Sequence, residues 1–227
     1  MLMGRNGSGK STLLWTLAGR LQPDRGEIRL DRPGGRPVDP RTLPPRERIA
    51  RVGLVPQDPM ALLYADSVAE ECRSADADMG AEPGTTAALF ARITGEVDAE
   101  RHPRDLSEGQ RLGLALAVIL AAGSRLLLLD EPTRGLDYAA KDRLVRILAE
   151  LSAEGHTILV ATHDVELAAE IADRVVLMAD GVIVADDDSP SVLAQSTAYA
   201  PQVSRILHPL PFLTVDEVAR ALTEEAS

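Results

Sequence analysis

The spacing of apolar residues changes along the chain and predicts alternating strands and helices. Leu126 to Leu129 is a continuous apolar run, which is typical of a parallel strand buried on both faces. Thr157 to Ala161 predicts a second buried strand, and Val175 to Met178 a third. Between the first two, Asp137 to Glu154 has the spacing of an amphipathic helix. This alternation indicates an α/β fold with a mostly parallel sheet.

Further elements follow from the same reasoning. Asp180-Gly181 predicts a tight turn, with residues 182–185 as the return strand. The remaining predictions are strands at residues 27–31 and 49–55, helices at residues 61–72, 86–93, 111–122 and 165–173, and a loop at residues 74–84.

The chain divides into a main domain and a tail. Residues 1–188 form the predicted domain, with a small helical insertion over about residues 58–122. Residues 189–227 are predicted to be a C-terminal appendage, in which Thr214 to Glu217 resembles a capping box that opens a short final helix. A packing tail and a functional element are equally compatible with this composition.

A glycine-rich loop at the start of the chain carries the first candidate chemistry. Residues 4–12 fit the pattern G-x-x-x-x-G-K-[ST], whose backbone amides surround phosphate oxygens. Lys10 is expected to reach the β- and γ-phosphates, and the Ser11 hydroxyl is expected to bind Mg²⁺. The predicted nucleotide-binding residues are Gly4, Asn6, Gly7, Ser8, Gly9, Lys10, Ser11 and Thr12.

The sequence before this loop is short. Only Met1-Leu2-Met3 precede Gly4, whereas such a loop normally follows a buried strand of roughly 5–6 residues. The first strands are therefore expected to be missing, and the chain as written is expected to bind its nucleotide weakly and to aggregate readily.

Composition and charge exclude several classes of protein. The 227 residues are 45% hydrophobic, enough for one sizeable core, and the formal net charge is −11. Because no cluster of Lys and Arg is evident, nucleic acid is not an expected partner. The single cysteine, Cys72, excludes a disulfide framework and favours a reduced, intracellular setting. The longest apolar run, Leu112 to Ala122, is far shorter than the roughly 20 residues that cross a bilayer.

Five further motifs follow the phosphate loop in a fixed order. They are Gln57, Leu106-Ser107-Glu108-Gly109-Gln110, Leu126 to Glu131, Gly135-Leu136-Asp137, and His163. Together with the phosphate loop (Walker A), this order resembles the nucleotide-binding subunits of ABC transporters over roughly residues 4–186. In that family the five are the Q-loop, the signature motif, the Walker B motif, the D-loop and the switch histidine. The resemblance implies a P-loop NTPase of ABC type that binds ATP and Mg²⁺ and hydrolyses ATP.

The resemblance also gives the residues their roles. Asp130 is expected to hold Mg²⁺ together with Ser11, and Glu131 to polarise the attacking water. His163 is expected to position that water at the γ-phosphate, and Gln57 to sense Mg²⁺ and the γ-phosphate. For each of these residues an ordinary structural or solvated role is the alternative.

A second ATPase is the first partner that the resemblance implies. In the family, the signature motif (here Ser107, Gly109 and Gln110) and the D-loop Asp137 serve the nucleotide of a partner, so that two subunits or domains enclose two ATP molecules head to tail. The partner is a second copy or a related domain. Glu108 departs from the commoner Gly at its position, and a carboxylate near the partner's phosphates is expected to weaken closure.

The segments around Gln57 and Gly135 narrow the resemblance. Pro56-Gln57-Asp58-Pro59, residues 67–71 and residues 133–138 look like the ATPases of energy-coupling-factor importers, which take up vitamins, vitamin precursors or transition-metal ions. This resemblance implies a transmembrane coupling subunit as partner, contacted by Gln57 and the following helix. It also implies a cytoplasmic location on the inner face of the plasma membrane.

Two other functions compete with the importer. A soluble ABC-type ATPase acting on DNA or ribosomes would call for basic surfaces or a long coiled coil between Gln57 and Leu106, and the sequence has neither. A non-catalytic remnant would be expected to lose key residues, but Lys10, Glu131 and His163 are all present.

Overall fold

The computed structural model describes residues 1–31, 35–195 and 199–225. In these residues the strands are β1 (Leu2–Met3), β2 (Val52–Val55), β3 (Leu126–Asp130), β4 (Thr157–Thr162), β5 (Arg174–Ala179) and β6 (Val182–Asp188). The helices are α1 (Lys10–Leu17), α2 (Pro45–Ile49), α3 (Val68–Met79), α4 (Thr85–Thr94), α5 (Glu108–Ala121), α6 (Tyr138–Ala153), α7 (Val165–Ile171), α8 (Ser189–Gln195), α9 (Gln202–Leu207) and α10 (Val215–Glu225).

The fold consists of two compact units. One combines residues 1–10 with the chain from Thr162 onwards, and the other comprises residues 11–161. Across the described residues, no helix is both long enough and apolar enough to cross a membrane.

A parallel arrangement of β2, β3 and β4 forms the centre of the unit comprising residues 11–161. Val55 pairs with Leu129 and Asp130 with Ala161, so the carboxyl ends of the three strands lie at one edge. Leu127, Leu128 and Leu129 are completely buried, as the apolar run predicted. The α/β prediction with parallel strands is confirmed.

Helix α5 packs directly against β2. A Cβ atom at Gly53 would lie 2.0 Å from Cγ2 of Ile119, which shows how closely the strand and the helix approach. Only glycine leaves room at this point in the strand. Because α5 is buried on most of its faces, as predicted for residues 111–122, its first turn is held in a defined position.

The predicted loop at residues 74–84 is wrong over its first half, because α3 continues to Met79. Asp76 is buried and accepts hydrogen bonds from Gly84 N (2.7 Å), Thr86 N (2.9 Å) and Thr86 Oγ1 (2.6 Å). Asp76, which the sequence placed in a loop, is therefore the hydrogen-bond acceptor for the start of α4. The predicted helix at residues 86–93 is confirmed as α4.

The predictions for three other segments differ more clearly from the structure. Residues 27–31 form no strand; Leu30 makes only an isolated antiparallel bridge with Val38. The strand predicted at residues 49–55 begins at Val52, because Pro45 starts helix α2, which runs to Ile49. The helix predicted at residues 61–72 begins later, at Val68, where the Ser67 side chain accepts a hydrogen bond from Glu70 N.

The other unit is built on β1, β5 and β6. β1 pairs with β5 in parallel, and β5 pairs with β6 in antiparallel fashion across the predicted turn at Asp180-Gly181. One buried cluster contains residues from β1, α7, β5 and the tail: Met3, Ala168, Val175, Leu177, Val192, Leu193 and Leu213. The tail thus shares a core with the strands, and the domain boundary after residue 188 stays a prediction.

The capping box at the start of α10 is confirmed. Glu217 N donates to Thr214 Oγ1 (3.3 Å), and the Glu217 carboxylate accepts from Thr214 N (3.2 Å) and Leu213 N (2.6 Å). This reciprocal bonding satisfies backbone donors that the first turn of a helix leaves open.

Replacement of Asp76 by Ala is expected to destabilise the protein. The change leaves the buried amide and hydroxyl of Thr86 without their acceptor and removes a partly buried bond to Gly84 N, so the free energy of unfolding should fall by about 2 kcal/mol. Urea denaturation followed by circular dichroism measures this change. Asp78→Ala is the control, because Asp78 is exposed and its carboxylate lies 3.9 Å from Arg46; equal losses in the two variants would contradict the assignment.

The same carboxyl makes a pH-dependent contribution to stability. Burial alone would raise the pKa of Asp76, but hydrogen bonds from Thr86 and Gly84 outweigh this effect and hold the pKa below its ordinary value of 3.8. The stabilisation is therefore fully present above that value and is lost as the pH falls through the lowered pKa. The difference between Asp76→Ala and the unmodified protein should shrink over that acidic range.

Candidate nucleotide-binding site

The phosphate loop connects β1 to α1, as the sequence predicted. Ser8 N donates to Arg5 O (3.1 Å), which closes the turn, and Gly181 N donates to Ser8 O (3.1 Å) from the β5–β6 hairpin. Gly7 and Gly9 have φ values of 84° and 98°, in the region that favours glycine. The loop is therefore held by backbone hydrogen bonds on both sides.

Gly4 allows the loop to begin close to β5. A Cβ atom at this position would lie 2.3 Å from the carbonyl oxygen of Met178 and 2.6 Å from Oγ of Ser8. Because the carbonyl oxygen belongs to the backbone, it cannot move aside as a flexible side chain could. A glycine is therefore required here for packing within the protein.

Lys10 is buried and folds back over its own loop. Its Nζ donates to Gly4 O (2.7 Å) and to Arg5 O (3.3 Å). The Oγ of Ser8 is also buried and has no hydrogen-bond partner among the described residues. A buried cation beside a buried, unsatisfied hydroxyl suits a site for an anion with several oxygen atoms.

The other predicted residues of the loop are accessible. Asn6 and Gly7 are exposed at its tip, and Ser11 and Thr12 are exposed in the first turn of α1. Hydroxyl and amide oxygens at this position could bind a hard cation such as Mg²⁺.

Two buried carboxylates mark the end of β3. Asp130 is the last residue of the strand, and Glu131 follows it with a φ of 48°, unusual for a residue with a side chain. Glu131 N donates to Ala161 O (2.8 Å), and Glu131 O accepts from Arg134 N (3.1 Å). These bonds hold the strained backbone that positions the Glu131 side chain.

Gln57 lies at the end of the neighbouring strand. Val55 pairs with Leu129 in a parallel register, so Gln57 and Glu131 each lie two residues beyond this pair at the same edge of the sheet. Gln57 is exposed. The structure thus brings Gln57 to the same sheet edge as Asp130 and Glu131, while their roles stay predictions.

The predicted signature residues form the first turn of α5. Ser107 Oγ accepts from Gln110 N (3.2 Å), and the Gln110 side chain accepts from Ser107 N (3.0 Å), which makes a capping box. Ser107 is exposed. The turn is therefore rigid and presented on the surface of its unit.

The D-loop packs against this turn within the same unit. A Cβ atom at Gly109 would lie 2.9 Å from Cβ of Ala140, and one at Gly135 would lie 3.2 Å from Cγ of Glu108. Asp137 is the N-cap of α6, where its side chain accepts from Ala140 N (2.8 Å). The structure thus brings together residues 107–110 and 135–137.

His163 lies directly after β4 and is exposed. The turn that follows is fixed, because Asp164 N donates to Thr162 Oγ1 (3.0 Å) and the Asp164 side chain accepts from Leu167 N (3.1 Å). The role predicted for His163 stays a prediction.

A buried carboxylate that the sequence does not reveal lies in the helix that follows Gln57. Glu71 is buried in α3, and its Oε2 accepts from Tyr64 N (2.7 Å) and Ala65 N (2.8 Å). These bonds hold the segment after Gln57 in a conformation in which the Tyr64 side chain is 84% exposed. A Glu on a helix is ordinarily solvated, so no sequence signal distinguished it.

Comparison with known proteins now gives the family. A family model described as ABC transporter matches residues 1–134, more than half of the chain. The chain belongs to the ABC transporter ATP-binding family.

Curated relatives support this assignment. A protein of Streptomyces avermitilis with the general name ABC transporter ATP-binding protein is 58% identical over 97% of this chain and 38% of its own length. A Thermosynechococcus vestitus protein with the same kind of name is 38% identical over 89% of this chain and 72% of its own length. The chain spans 38% of the length of the Streptomyces relative.

Solved structures share the fold. CbiO1 of Clostridium perfringens, part of the ABC transporter complex CbiONQ, aligns with a TM-score of 0.75 at 27% identity, over 98% of this chain and 86% of that chain. The ATP-binding cassette MJ0796, a dimer in a post-hydrolysis state bound to ADP and Pi, aligns with a TM-score of 0.70 at 25% identity, over 83% and 84% of the two chains. The predicted ABC-type P-loop NTPase fold is confirmed.

Replacement of Gly4 by Ala is expected to disturb the loop and the fold together. The new Cβ overlaps the Met178 carbonyl oxygen, so the free energy of unfolding should fall by about 3 kcal/mol. Gly80→Ala is the matched control, because Gly80 also has a positive φ but nothing lies within 4 Å of an added Cβ. The control should lose only about 1 kcal/mol in urea denaturation. Equal losses in both variants would show that the contact at Gly4 is unimportant.

Proposed function

We propose that this chain is the ATP-binding and ATP-hydrolysing subunit of a membrane importer for a small nutrient, such as a vitamin, a vitamin precursor or a metal ion. The geometry of the phosphate loop carries the nucleotide part of this proposal: a buried Lys10 and a buried, unsatisfied Ser8 hydroxyl lie in one loop. The importer part is supported by the similarity to CbiO1, described as part of CbiONQ.

The phosphate loop binds the triphosphate of ATP in this proposal. Lys10 exchanges its bonds to the carbonyl oxygens of Gly4 and Arg5 for bonds to phosphate oxygens, while Ser8 Oγ gains a partner. The remaining binding residues contribute backbone amides or hydroxyls: Gly4, Asn6, Gly7, Gly9, Ser11 and Thr12.

The donor set also fits Mg²⁺. Ser11, Asp130 and Gln57 supply a hydroxyl, a carboxylate and an amide oxygen, which are ligands that a hard cation prefers. When bound, Mg²⁺ neutralises charge on the phosphates. Since Asp130 ends a paired strand, its carboxylate starts from a fixed backbone position.

Glu131 orients and polarises the attacking water. Its strained backbone and its burial restrict the carboxylate to few positions, as expected for a group that must hold one water molecule. His163 holds that water in line with the γ-phosphate from an exposed position after β4.

A second ATPase domain completes the site. Ser107, Gly109 and Gln110 are presented at an exposed helix start, and Asp137 caps the adjacent helix. They bind the nucleotide held by the partner, so that two domains close over two ATP molecules. The dimeric structure of MJ0796 supports this arrangement.

The segment after Gln57 is the proposed contact with the transmembrane subunit. Tyr64 is a fixed, exposed aromatic side chain, and its hydroxyl donates to Ala61 O (2.5 Å). Asp58, Asp66 and Glu70 are exposed around it. An acidic surface with an aromatic anchor suits the Lys- and Arg-rich cytoplasmic loops of membrane proteins. This contact would keep the chain in the cytoplasm, on the inner face of the plasma membrane.

Replacement of Glu131 by Gln is expected to separate binding from hydrolysis. ATP hydrolysis should fall at least about 100-fold, because the amide cannot accept a proton from the attacking water. ATP binding, measured with a fluorescent analogue, should remain within about threefold. Glu100→Gln is the control, because Glu100 is exposed and lies outside the site. Unchanged hydrolysis in Glu131→Gln would remove Glu131 from its role, and no hydrolysis by the unmodified chain would favour a non-catalytic remnant.

Replacement of Tyr64 by Ala is expected to weaken attachment to membranes. The variant and the unmodified chain are co-expressed with the membrane proteins of the source organism and isolated by an affinity tag. The recovery of integral membrane proteins should fall about tenfold, which is the loss expected for one aromatic anchor. Leu210→Ala, at another exposed apolar residue, should leave recovery unchanged. Recovery of no membrane protein by the unmodified chain would favour an ATPase without a transport role.

A further inference from the structure

An exposed arginine stands in the phosphate loop at a position that the motif does not specify. Arg5 follows Gly4, and its side chain is exposed and makes no ion pair with any other described residue. The phosphate-loop motif specifies glycine, lysine and hydroxyl residues, and it assigns no role to the residue at the position of Arg5. The planar guanidinium has the geometry to form bidentate contacts with a carboxylate or a phosphate.

A fixed carboxylate stands on the surface formed by residues 107–109 and 135–137, which we name the signature face. Glu108 Oε1 lies 3.0 Å from Arg111 Nη1, and the side chain of Glu108 is 46% exposed. Its methylene carbons lie over Gly135. Arg111 is itself fixed, because its Nε donates to Leu106 O (2.9 Å). The carboxylate is therefore oriented, and its exposed part can accept further donors.

We propose that Glu108 on the signature face binds Arg5 of a second copy of this chain. The inference rests on the proposed function, in which the signature face of one domain and the phosphate loop of the other hold the same triphosphate. Two copies related by a two-fold axis would then form two identical Arg5–Glu108 pairs. Glu108 thus acts as a positioning residue for closure and as a determinant of the partner.

Charge complementarity selects a second copy as the occupant. The chain carries a net charge of −11, so two copies repel each other unless opposite charges meet locally. Arg5 supplies that positive charge on one surface and Glu108 the negative charge on the other. Complementary pairs of this kind determine which surfaces associate more than they determine total affinity.

This pairing reverses the expectation from the sequence. A lone carboxylate beside a partner's phosphates would oppose closure, as predicted for Glu108. Within the chain Arg111 already offsets the charge, and Arg5 of the other copy adds a second guanidinium. The carboxylate then lies between two cations and favours closure.

A charge-swap experiment tests the pairing. Glu131→Gln serves as the background in all proteins, so that ATP is retained, and the dimer dissociation constant is measured by analytical ultracentrifugation with saturating ATP and Mg²⁺. Arg5→Glu and Glu108→Arg should each raise this constant at least about tenfold, because each places like charges together. The double variant should return to within about threefold of the background. Higher salt should weaken the background dimer more than the variant with both Arg5→Gln and Glu108→Gln.

Matched controls make the outcome specific. Arg5→Glu combined with Glu100→Arg should remain as weak as Arg5→Glu alone, because Glu100 lies outside the signature face. Thermal denaturation of each variant shows whether it folds, and the milder pair Arg5→Gln and Glu108→Gln provides the same cycle without charge reversal.

The possible failures are distinguishable. If the Glu131→Gln background binds no ATP, the proposed function itself is overturned. If it binds ATP but forms no dimer, or if the double swap is no tighter than the single variants, the Arg5–Glu108 pairing is overturned and the proposed function stands. A tight dimer whose dissociation constant none of the substitutions changes would also overturn the Arg5–Glu108 pairing and leave the proposed function standing.

Discussion

The close approach of Gly4 to the carbonyl oxygen of Met178 is the contact on which the phosphate loop depends. It lets β1 pair with β5 and still turn into the loop within one residue. The turn leaves the carbonyl oxygens of Gly4 and Arg5 facing inward, where Lys10 Nζ binds them. A buried ammonium group is stable only when it has such acceptors. The packing of β1 against β5 and the position of the buried Lys10 ammonium group therefore both depend on the absence of a side chain at Gly4.

The charges of the candidate site are held at the ends of regular elements. Asp130 and Glu131 follow a completely buried strand, so their backbone is fixed by the register with β4. The residues of the signature face begin α5, a helix whose remaining turns are buried. Groups positioned by strands and helices lose little conformational freedom when a ligand binds, and this reduces the cost of ordering them. Most residues of the candidate site lie in loops, and the buried leucines of β3 fix the position of the loop that contains Glu131.

The sequence predicted those parts of the structure that are determined locally. The apolar run ending at Asp130 and the glycine pattern of residues 4–12 each specify a strand or a turn without help from distant residues. The sequence does not reveal the burial of Asp76 and Glu71, because burial of a carboxylate depends on donors supplied from other segments, here the amides of residues 84 and 86 and of residues 64 and 65. The strand predicted at residues 27–31 is wrong for a related reason: their alternation is genuine, but among the described residues they make a single isolated bridge, between Leu30 and Val38. Strand pairing and the burial of polar side chains depend on distant residues, so the pattern along one segment does not predict them.

Glu108 shows how the same limit affects function. In the sequence it is one acidic residue beside a predicted phosphate site, and elementary electrostatics assigns it a repulsive effect. The structure adds Arg111 at 3.0 Å and the D-loop glycine beneath its methylene groups, so the charge is both offset and fixed. A residue's effect on an interface depends on the sum of charges around it, not on its own sign. In the proposed dimer, Arg5 of a second copy adds a positive charge to that sum, so the net effect of Glu108 on closure becomes attractive.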